Sequence, residues 1–145
     1  MGTICMSEKD FAALSGRKQK GMSKFHSKKV FLDGIEFDSA LEAQRWAQLR
    51  LLERIGDIRD LERQVPFELI PAQREPDRVG KRGGVYPGKV IEQAVVYYAD
   101  FVYLTREGKR IVEDVKGVRT PDFVIKRKLM LYIHKIKIKE VRSVG

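Results

Sequence analysis

The stretch from Lys89 to Lys116 constrains the fold of this chain more than any other. Residues 89–104 are dominated by Val, Ile, Tyr and Phe, which favour β-strands. Thr105-Arg-Glu-Gly108 is typical of a turn, and residues 109–116 form a second strand-like run. The stretch therefore predicts a long β-hairpin, which is stable in water only when other elements cover its apolar faces.

Two helices are predicted to supply that cover. The first spans residues 39–55, because Ser39-Ala-Leu-Glu42 matches a capping box and Gly56 follows in the usual C-terminal position. Apolar residues recur inside it at helical spacing: Leu41, Trp46, Leu49, Leu52 and Ile55. The second helix begins at Thr120, with Pro121 at the first helical position.

Shorter strands complete the prediction. They are Lys29–Leu32, Ile35–Phe37, Leu61–Leu69 and Ile136–Val141. Asp33-Gly34 is a strong signal for a hairpin turn between the first two. Pro66 places its strand at a sheet edge or at a bulge, because proline cannot donate to a central ladder.

The predicted order of the core is helix, three strands, helix, strand. It indicates an α/β fold in which helices flank one mixed β-sheet. Residues 71–88 are rich in Pro, Gly and Arg, and are expected to form a loop or an extended basic hairpin. We expect residues 1–24 to be a basic, flexible N-terminal arm, so that the folded domain spans 25–145, and Met22 is an alternative start to Met1.

The first candidate functional residue is an aspartate inside an apolar strand. Asp100 lies within Val95–Val102, where a carboxylate is costly unless it is paired or binds a cation. The alternative is that the strand lies at an edge and Asp100 faces water. Buried carboxylates cluster at functional sites, which favours a functional role.

A second pair of candidates lies on the next predicted strand. Asp114 and Lys116 are two residues apart and so share one face of that strand. The hairpin sets this strand beside the one holding Asp100, so the two carboxylates and the ammonium can converge. Two carboxylates suit Mg²⁺ or Mn²⁺, while a lysine can hold a water or neutralise charge on a phosphate. The alternative is an ordinary surface salt bridge between Asp114 and Lys116.

Taken together, these motifs resemble the PD-(D/E)XK nuclease superfamily. Residues 22–141 more closely resemble a family of small phage-encoded nucleases long known only as a domain of unknown function. The matching stretches are Lys28-Lys-Val30, Asp33-Gly-Ile-Glu-Phe-Asp-Ser39, Glu42-Ala-Gln-Arg45, Leu51-Leu-Glu53, Gln64-Val-Pro-Phe67, Tyr98-Ala-Asp-Phe101, Val112-Glu-Asp-Val-Lys-Gly117 and Lys126-Arg-Lys-Leu129. The proline of the superfamily motif is absent, since Tyr98-Ala99 precedes Asp100.

The resemblance implies a restriction-endonuclease-like core and a role for each matching residue. Asp100 and Asp114 would be metal ligands, joined by the Val115 carbonyl, and Lys116 would be the catalytic lysine. Glu42 would be a helix-borne acid that completes the metal site, although the capping box alone also explains a glutamate there. Glu113 is expected to face away from Asp114 and to be structural or supporting.

The charge distribution favours a polyanionic partner. The net charge is +9, and basic segments at residues 1–30 and 117–145 enclose an acidic one at 31–70. The residues expected to contact nucleic acid are Gln64, Lys126, Lys128, Arg82 and Lys29. For Gln64, a bond to the protein main chain is the alternative, and for the basic residues it is a solvated surface. Four aromatic residues are expected in the core rather than as stacking platforms: Trp46, Tyr97, Tyr98 and Tyr103.

These expectations converge on a Mg²⁺- or Mn²⁺-dependent endodeoxyribonuclease that acts in phage DNA recombination, replication or branched-DNA processing. A homodimer would suit cutting of both strands. A non-catalytic nucleic-acid binder and a nuclease subunit of a larger phage complex are the alternatives. One cysteine, Cys5, excludes an internal disulfide, and no Cys/His cluster has zinc spacing. No apolar run reaches bilayer length and no signal peptide is visible, so the expected location is the cytoplasm, that of the host cell for a phage protein.

Overall fold

The computed structural model describes residues 28–144. Its helices are α1 (Ala40–Arg54) and α2 (Pro121–His134). Its strands are β1 (Val30–Leu32), β2 (Ile35–Phe37), β3 (Ile58–Ile70), β4 (Gln73–Arg74), β5 (Arg78–Val79), β6 (Val85–Tyr86), β7 (Val90–Glu92), β8 (Val95–Thr105), β9 (Arg110–Val115) and β10 (Lys139–Val141). The basic arm expected over residues 1–24 lies outside the described residues.

The centre of the fold is a four-stranded mixed sheet. Its strand order is β10-β9-β8-β3, with β10 parallel to β9 and the other neighbours antiparallel. The mixed α/β class and the order helix, three strands, helix, strand are confirmed. Pro66 lies on β3, which is an edge strand as its chemistry requires.

Helix α1 covers one face of this sheet, here called the α1 face. The Ser39 side chain caps the helix by accepting a bond of 3.1 Å from the Glu42 N–H. Gly56 has φ 83°, the left-handed conformation expected after a helix end. The core of this face is apolar and aromatic: Phe37, Ala43, Trp46, Leu49, Ile58, Phe101 and Tyr103.

Helix α2 covers the opposite face, here called the α2 face. Thr120 caps it and Pro121 is its first residue, as predicted. At the other end, His134 Nε2 contacts the Glu68 carbonyl at 2.7 Å and fastens the helix to β3. The core of this face contains Phe67, Leu69, Tyr97, Ala99, Val102, Val112, Phe123, Met130 and Ile138.

Three predictions along the sheet needed correction. The single strand expected over residues 89–104 is two strands, because residues 90–92 pair with β4 while β8 pairs with β3 only from Val95. The last strand is shorter than predicted and begins at Lys139. Tyr98, expected in the core, is 57% exposed, since it lies opposite Pro66 on the outer part of the sheet.

The segment between β3 and β8 takes the second of its two predicted forms. It is an extended hairpin in which β4 pairs with β7 and β5 pairs with β6. Ordered pairing continues beyond the four-stranded sheet as a narrow ribbon. Within residues 28–144, no helix is long and apolar enough to cross a membrane.

Candidate metal and phosphodiester site

Asp114 is a fully buried carboxylate on the α2 face of β9. The Tyr97 hydroxyl donates to its Oδ1 at 3.1 Å. Its other oxygen, Oδ2, is buried and accepts no hydrogen bond from any described residue. The Lys116 Nζ lies 3.4 Å from Oδ2, which is an ion-pair contact. One oxygen of this carboxylate therefore accepts a hydrogen bond, and the charge on the other is compensated, among the described residues, only by one ammonium.

Asp100 lies beside Asp114 where two strands separate. The β8–β9 ladder ends with Phe101 opposite Glu113, so no backbone pairing joins the next two positions, Asp100 and Asp114. In place of a backbone bond between the strands, the Asp100 Oδ2 accepts the Val115 N–H at 2.7 Å. This bond holds the Asp100 carboxylate against the start of the Asp114-Val115-Lys116 segment.

Gln64 holds Asp100 from the other side. Arg63 pairs with Phe101 and Val65 pairs with Ala99, which leaves Gln64 between them with φ 50°. A glutamine in this left-handed region is uncommon and strained. Its side-chain Nε2 donates to Asp100 Oδ1 at 3.3 Å. The strain therefore occurs where the edge strand presents an amide to the candidate site.

The electrostatics of the two aspartates are unfavourable without a further cation. Burial and then the charge of Asp114 raise the pKa of Asp100 to about 7, while the Val115 N–H opposes this shift. Burial also raises the pKa of Asp114, and Lys116 and Tyr97 only partly oppose it. A buried carboxylate and a half-buried one share one region, which is a pattern typical of functional sites.

Lys116 lies at the rim of the site. Its backbone N–H donates to the Val141 carbonyl at 3.0 Å, just beyond the last residue of β9. Its ammonium lies 5.1 Å from the centre of the Phe123 ring, within cation–π range. Its side chain is one-third exposed, so the charge is accessible to an anionic substrate.

Glu42 is buried on α1, but only part of the predicted capping box forms. The Glu42 N–H binds Ser39, whereas the described residues show no return bond from the Ser39 N–H to the Glu42 carboxylate. Burial raises the pKa of Glu42, and its charge in turn contributes to the raised pKa of Asp100. Arg63 Nη2 lies 4.0 Å from Glu42 Oε1.

The structure therefore brings Asp100, Asp114 and Lys116 together and leaves Glu42 further away. Within residues 28–144, no three His, Cys, Asp or Glu side chains are grouped closely enough to form a complete metal site. Asp114 Oδ2, which accepts no hydrogen bond from this part of the chain, and Asp100, whose pKa is raised, are nevertheless suited to a hard divalent cation. Val115, whose N–H binds Asp100, lies between the two acids.

Glu113 faces the α1 side, as predicted, and is fully satisfied. It accepts bonds from Arg45 at 2.6 and 2.8 Å and from the Tyr103 hydroxyl at 2.6 Å. Lys139 Nζ lies 2.9 Å from its Oε1. Burial alone would raise the pKa of Glu113, but these donors outweigh burial and lower it.

The residues predicted to contact nucleic acid lie on separate elements. Lys29 pairs with Glu36 at 2.9 Å, and Gln64 binds Asp100 as described above. Lys126 and Lys128 lie on α2, and Arg82 lies at the end of the extended hairpin. Lys126, Lys128 and Arg82 form no ion pair with any carboxylate among residues 28–144, whereas Lys29 does.

Sequence reasoning missed two residues that bear on the site. Tyr97 was expected only in the core, yet its hydroxyl orients Asp114. Glu140 lies opposite Asp114 on β10 and helps to raise the pKa of Asp114. Arg119 and Arg127 hold the Glu140 carboxylate at 2.7 and 3.3 Å. Neither contact has a sequence signal, because both depend on strand register.

A surface cavity of about 540 Å³ lies elsewhere on the same strands. It is lined by Glu53, Asp60, Leu61, Glu62, Val102, Tyr103, Leu104 and Arg110. None of the candidate site residues lines it. The candidate functional residues are therefore Asp100, Asp114 and Lys116, not those that line this cavity.

Comparison with known proteins places most of the chain in one family. Residues 22–144 match the family described as "Protein of unknown function (DUF1064)". The match includes Glu42, Gln64, Asp100, Asp114 and Lys116. No curated protein matches the chain.

Proposed function

This chain belongs to the DUF1064 family of proteins of unknown function, and from its own residues we propose that it is a Mg²⁺- or Mn²⁺-dependent endodeoxyribonuclease. The observation that carries the proposal is the buried Asp114 Oδ2. This oxygen accepts no hydrogen bond within residues 28–144, and it lies beside Asp100 and Lys116. The order α1, β3, β8, β9, α2, β10 supports a restriction-endonuclease-like core of the PD-(D/E)XK type.

A divalent cation resolves the electrostatic problem of the two acids. Buried carboxylates that repel each other are costly, and one ammonium at 3.4 Å compensates only one of them. Asp100, Asp114 and the Val115 carbonyl would hold the ion, with Glu42 close enough to act on it through its charge. When bound, such an ion lowers the pKa of a water and neutralises charge on a phosphodiester.

The surrounding residues keep the two carboxylates in place. Tyr97 donates to one oxygen of Asp114, and in the described part of the chain the other oxygen accepts no hydrogen bond and forms an ion pair only with the Lys116 ammonium. Gln64 and the Val115 N–H each bind one oxygen of Asp100. Fixed donors of this kind orient metal-binding groups, and their loss typically costs about 10- to 100-fold in activity or metal affinity.

Lys116 supplies the positive charge that the reaction needs. Hydrolysis joins a water oxygen to phosphorus and breaks the bond from phosphorus to the leaving oxygen, so negative charge accumulates on the phosphoryl oxygens. The partly exposed Lys116 ammonium can bind one of these oxygens while Phe123 restricts its position. The leaving oxygen departs as an alcohol after it takes a proton from solvent.

A non-catalytic nucleic-acid binder explains the site less well. Binding needs exposed cations, which the chain carries on α2 and on the extended hairpin. It does not need the buried Asp114 beside the half-buried Asp100, both with raised pKa values, since these acids repel a polyanion. The acids therefore favour hydrolysis over binding alone.

The proposal is tested by incubating the protein with linear duplex, single-stranded, flapped and four-way DNA, in Mg²⁺, Mn²⁺ or EDTA. We expect cleavage with either metal, none in EDTA, and at least about a 100-fold loss in Asp114→Asn. Glu36→Gln, which alters an exposed acid on β2, is the matched control and should cut normally. Cleavage by Asp114→Asn at the parent rate, or no cleavage of any substrate, would overturn the proposal.

A further inference from the structure

The ribbon between β3 and β8, here called the arm (residues 71–94), has one defined shape. The Glu75 N–H binds the Lys89 carbonyl at 2.9 Å, and the Gly80 N–H binds the Gly84 carbonyl at 2.8 Å. Gly88 is a point of close approach, since a Cβ there would lie 1.8 Å from the Glu75 carbonyl oxygen. The arm is therefore a hydrogen-bonded hairpin rather than an irregular loop.

Nothing among the described residues covers the arm. Its large apolar side chains are exposed along its length: Val79, Val85, Tyr86, Val90 and Ile91. Ordering a chain segment costs conformational entropy, which burial normally offsets. Because this segment buries little apolar surface within its own chain, its side chains are arranged for contact with a partner.

The charge at the end of the arm identifies the chemistry of that partner. Arg78, Lys81 and Arg82 lie within five residues and form no ion pair with any carboxylate in residues 28–144. The acidic Asp77 is occupied, because it accepts the Gly88 N–H at 3.3 Å. Three unpaired cations on a narrow ribbon are complementary to a phosphate backbone.

Tyr86 gives the arm a surface for a base. Its ring lies against Gly80, where a Cβ would come within 2.7 Å of the ring, and its hydroxyl lies near Gly84. The glycines thus provide space for the ring, while 61% of the tyrosine stays exposed. An aromatic ring held in place beside cations is typical of sites that stack unpaired bases.

The arm and the candidate site belong to one continuous surface of the hairpin β3–β8. Ile70 pairs with Val95 at the base of the arm, and Asp100 lies five residues further along β8. At about 3.3 Å per strand residue, the base of the arm is roughly 17 Å from Asp100. That span corresponds to roughly five base steps of DNA.

We infer that the arm binds DNA containing unpaired bases, with Tyr86 stacked on one base and Arg78, Lys81 and Arg82 on the adjoining phosphates. The inference rests on the proposed nuclease function and names its substrate class: single-stranded or branched DNA in preference to plain duplex. Stacking requires a base face that is free of neighbours, and duplex interiors do not offer one.

The test measures binding without cleavage, by fluorescence anisotropy in EDTA on single-stranded, flapped and duplex DNA. Tyr86→Leu should weaken binding to the first two by about 10-fold and to duplex by far less. Tyr86→Phe should restore binding, because it keeps the ring. Tyr132→Leu removes a tyrosine that is 76% exposed on α2, and it should bind as the parent does.

A second measurement reports the stack directly. Single-stranded DNA carrying 2-aminopurine should show a fluorescence change on binding that Tyr86→Leu abolishes and Tyr86→Phe retains. Changing Lys81 and Arg82 together to Gln should reduce the slope of log affinity against log salt by about one to two. Thermal melting should be the same for all variants, since Tyr86 buries little surface.

The outcomes separate this inference from the nuclease proposal. If Tyr86→Leu loses binding to DNA with unpaired bases but not to duplex, and the parent cuts no DNA in Mg²⁺ or Mn²⁺, the role of the arm is supported and the nuclease proposal is overturned. If the parent cuts DNA, but Tyr86→Leu binds as the parent does or loses affinity for duplex to the same extent, the role of the arm is overturned and the nuclease proposal stands. Failure of the parent to bind any of the three DNAs in EDTA at low salt also overturns the arm.

Discussion

Glu113 and Asp114 are consecutive residues with opposite chemical states. Both are buried on β9, but Glu113 faces α1 and Asp114 lies on the α2 face. Three side chains donate to Glu113 and lower its pKa, whereas one hydroxyl donates to Asp114, whose pKa is raised. The difference arises because strand residues alternate between two faces with different neighbours.

Glu113 is a structural acid, and Asp114 is the one proposed to be functional. On the α1 face, the charge of Glu113 is compensated inside the protein by Arg45, Tyr103 and Lys139. At the candidate site, one ammonium, 3.4 Å from Asp114, faces the two carboxylates of Asp114 and Asp100, whose pKa values stay raised, so a further cation would relieve their repulsion. Burial alone therefore does not identify a site, but burial without donors does.

The largest expected effect is on stability, at Glu113. Glu113→Gln should lower the free energy of unfolding by about 3–5 kcal/mol, because it leaves the half-buried Arg45 without its charge partner. Urea unfolding monitored by Trp46 fluorescence measures this loss. An unchanged midpoint would show that the Glu113 network is not structural.

Asp114→Asn should show the reverse pattern. Removing a buried, partly unpaired charge should leave the free energy of unfolding equal or higher, while cleavage falls at least about 100-fold. Initial cleavage rates and urea unfolding on the same preparation measure both quantities. A strongly destabilised Asp114→Asn that cuts normally would reverse the roles assigned to the two acids.

The two faces should also respond oppositely to pH. The folded pKa of Asp100 is about 7 against an unfolded value of about 3.9, so its stabilising contribution is complete below about 3.9 and disappears as pH rises through about 7. The pKa of Glu113 is lowered, so its contribution is present above its unfolded value of about 4.3 and disappears as pH falls below it.

Thermal melts in EDTA from about pH 3 to about pH 8 cover both transitions and test this difference. Asp100→Asn should remove most of the fall in Tm toward high pH, and Mg²⁺ should restore Tm only in the parent. A Tm profile in Asp100→Asn that keeps the parental slope would contradict the assignment.

The smallest expected effect concerns the backbone at Gln64. Its φ of 50° is strained for a side chain and favourable for glycine. Gln64→Gly should therefore be more stable than Gln64→Ala by about 1 kcal/mol, although both lose the bond to Asp100. Both should reduce cleavage by about 10-fold, whereas equal stabilities would show that the positive φ of residue 64 stores no strain.

Much of the site was predictable because it depends on local patterns. Strand alternation placed Asp114 and Lys116 on one face, and the turn at residues 105–108 set Asp100 on the neighbouring strand. The opposite orientation of Glu113 followed from the same rule and is confirmed. The Ser39 cap and the Pro121 start were equally local.

The rest depends on register, which no short pattern encodes. The bond from Gln64 to Asp100 depends on the register that sets these residues opposite each other on β3 and β8, and the bond from Tyr97 to Asp114 depends on the β8–β9 ladder ending at Phe101. The break between β7 and β8 reflects a change of pairing partner inside one continuous β-favouring run. Distant partners decide all three features.

The bond from the Lys116 N–H to the Val141 carbonyl has a consequence for synthesis. The strand that anchors the lysine lies 25 residues later in the chain, so a nascent chain on the ribosome cannot fix Lys116 until β10 has emerged. Both aspartates are already made at that stage. The candidate site would thus be completed only once β10 pairs with β9, later than the synthesis of its two aspartates.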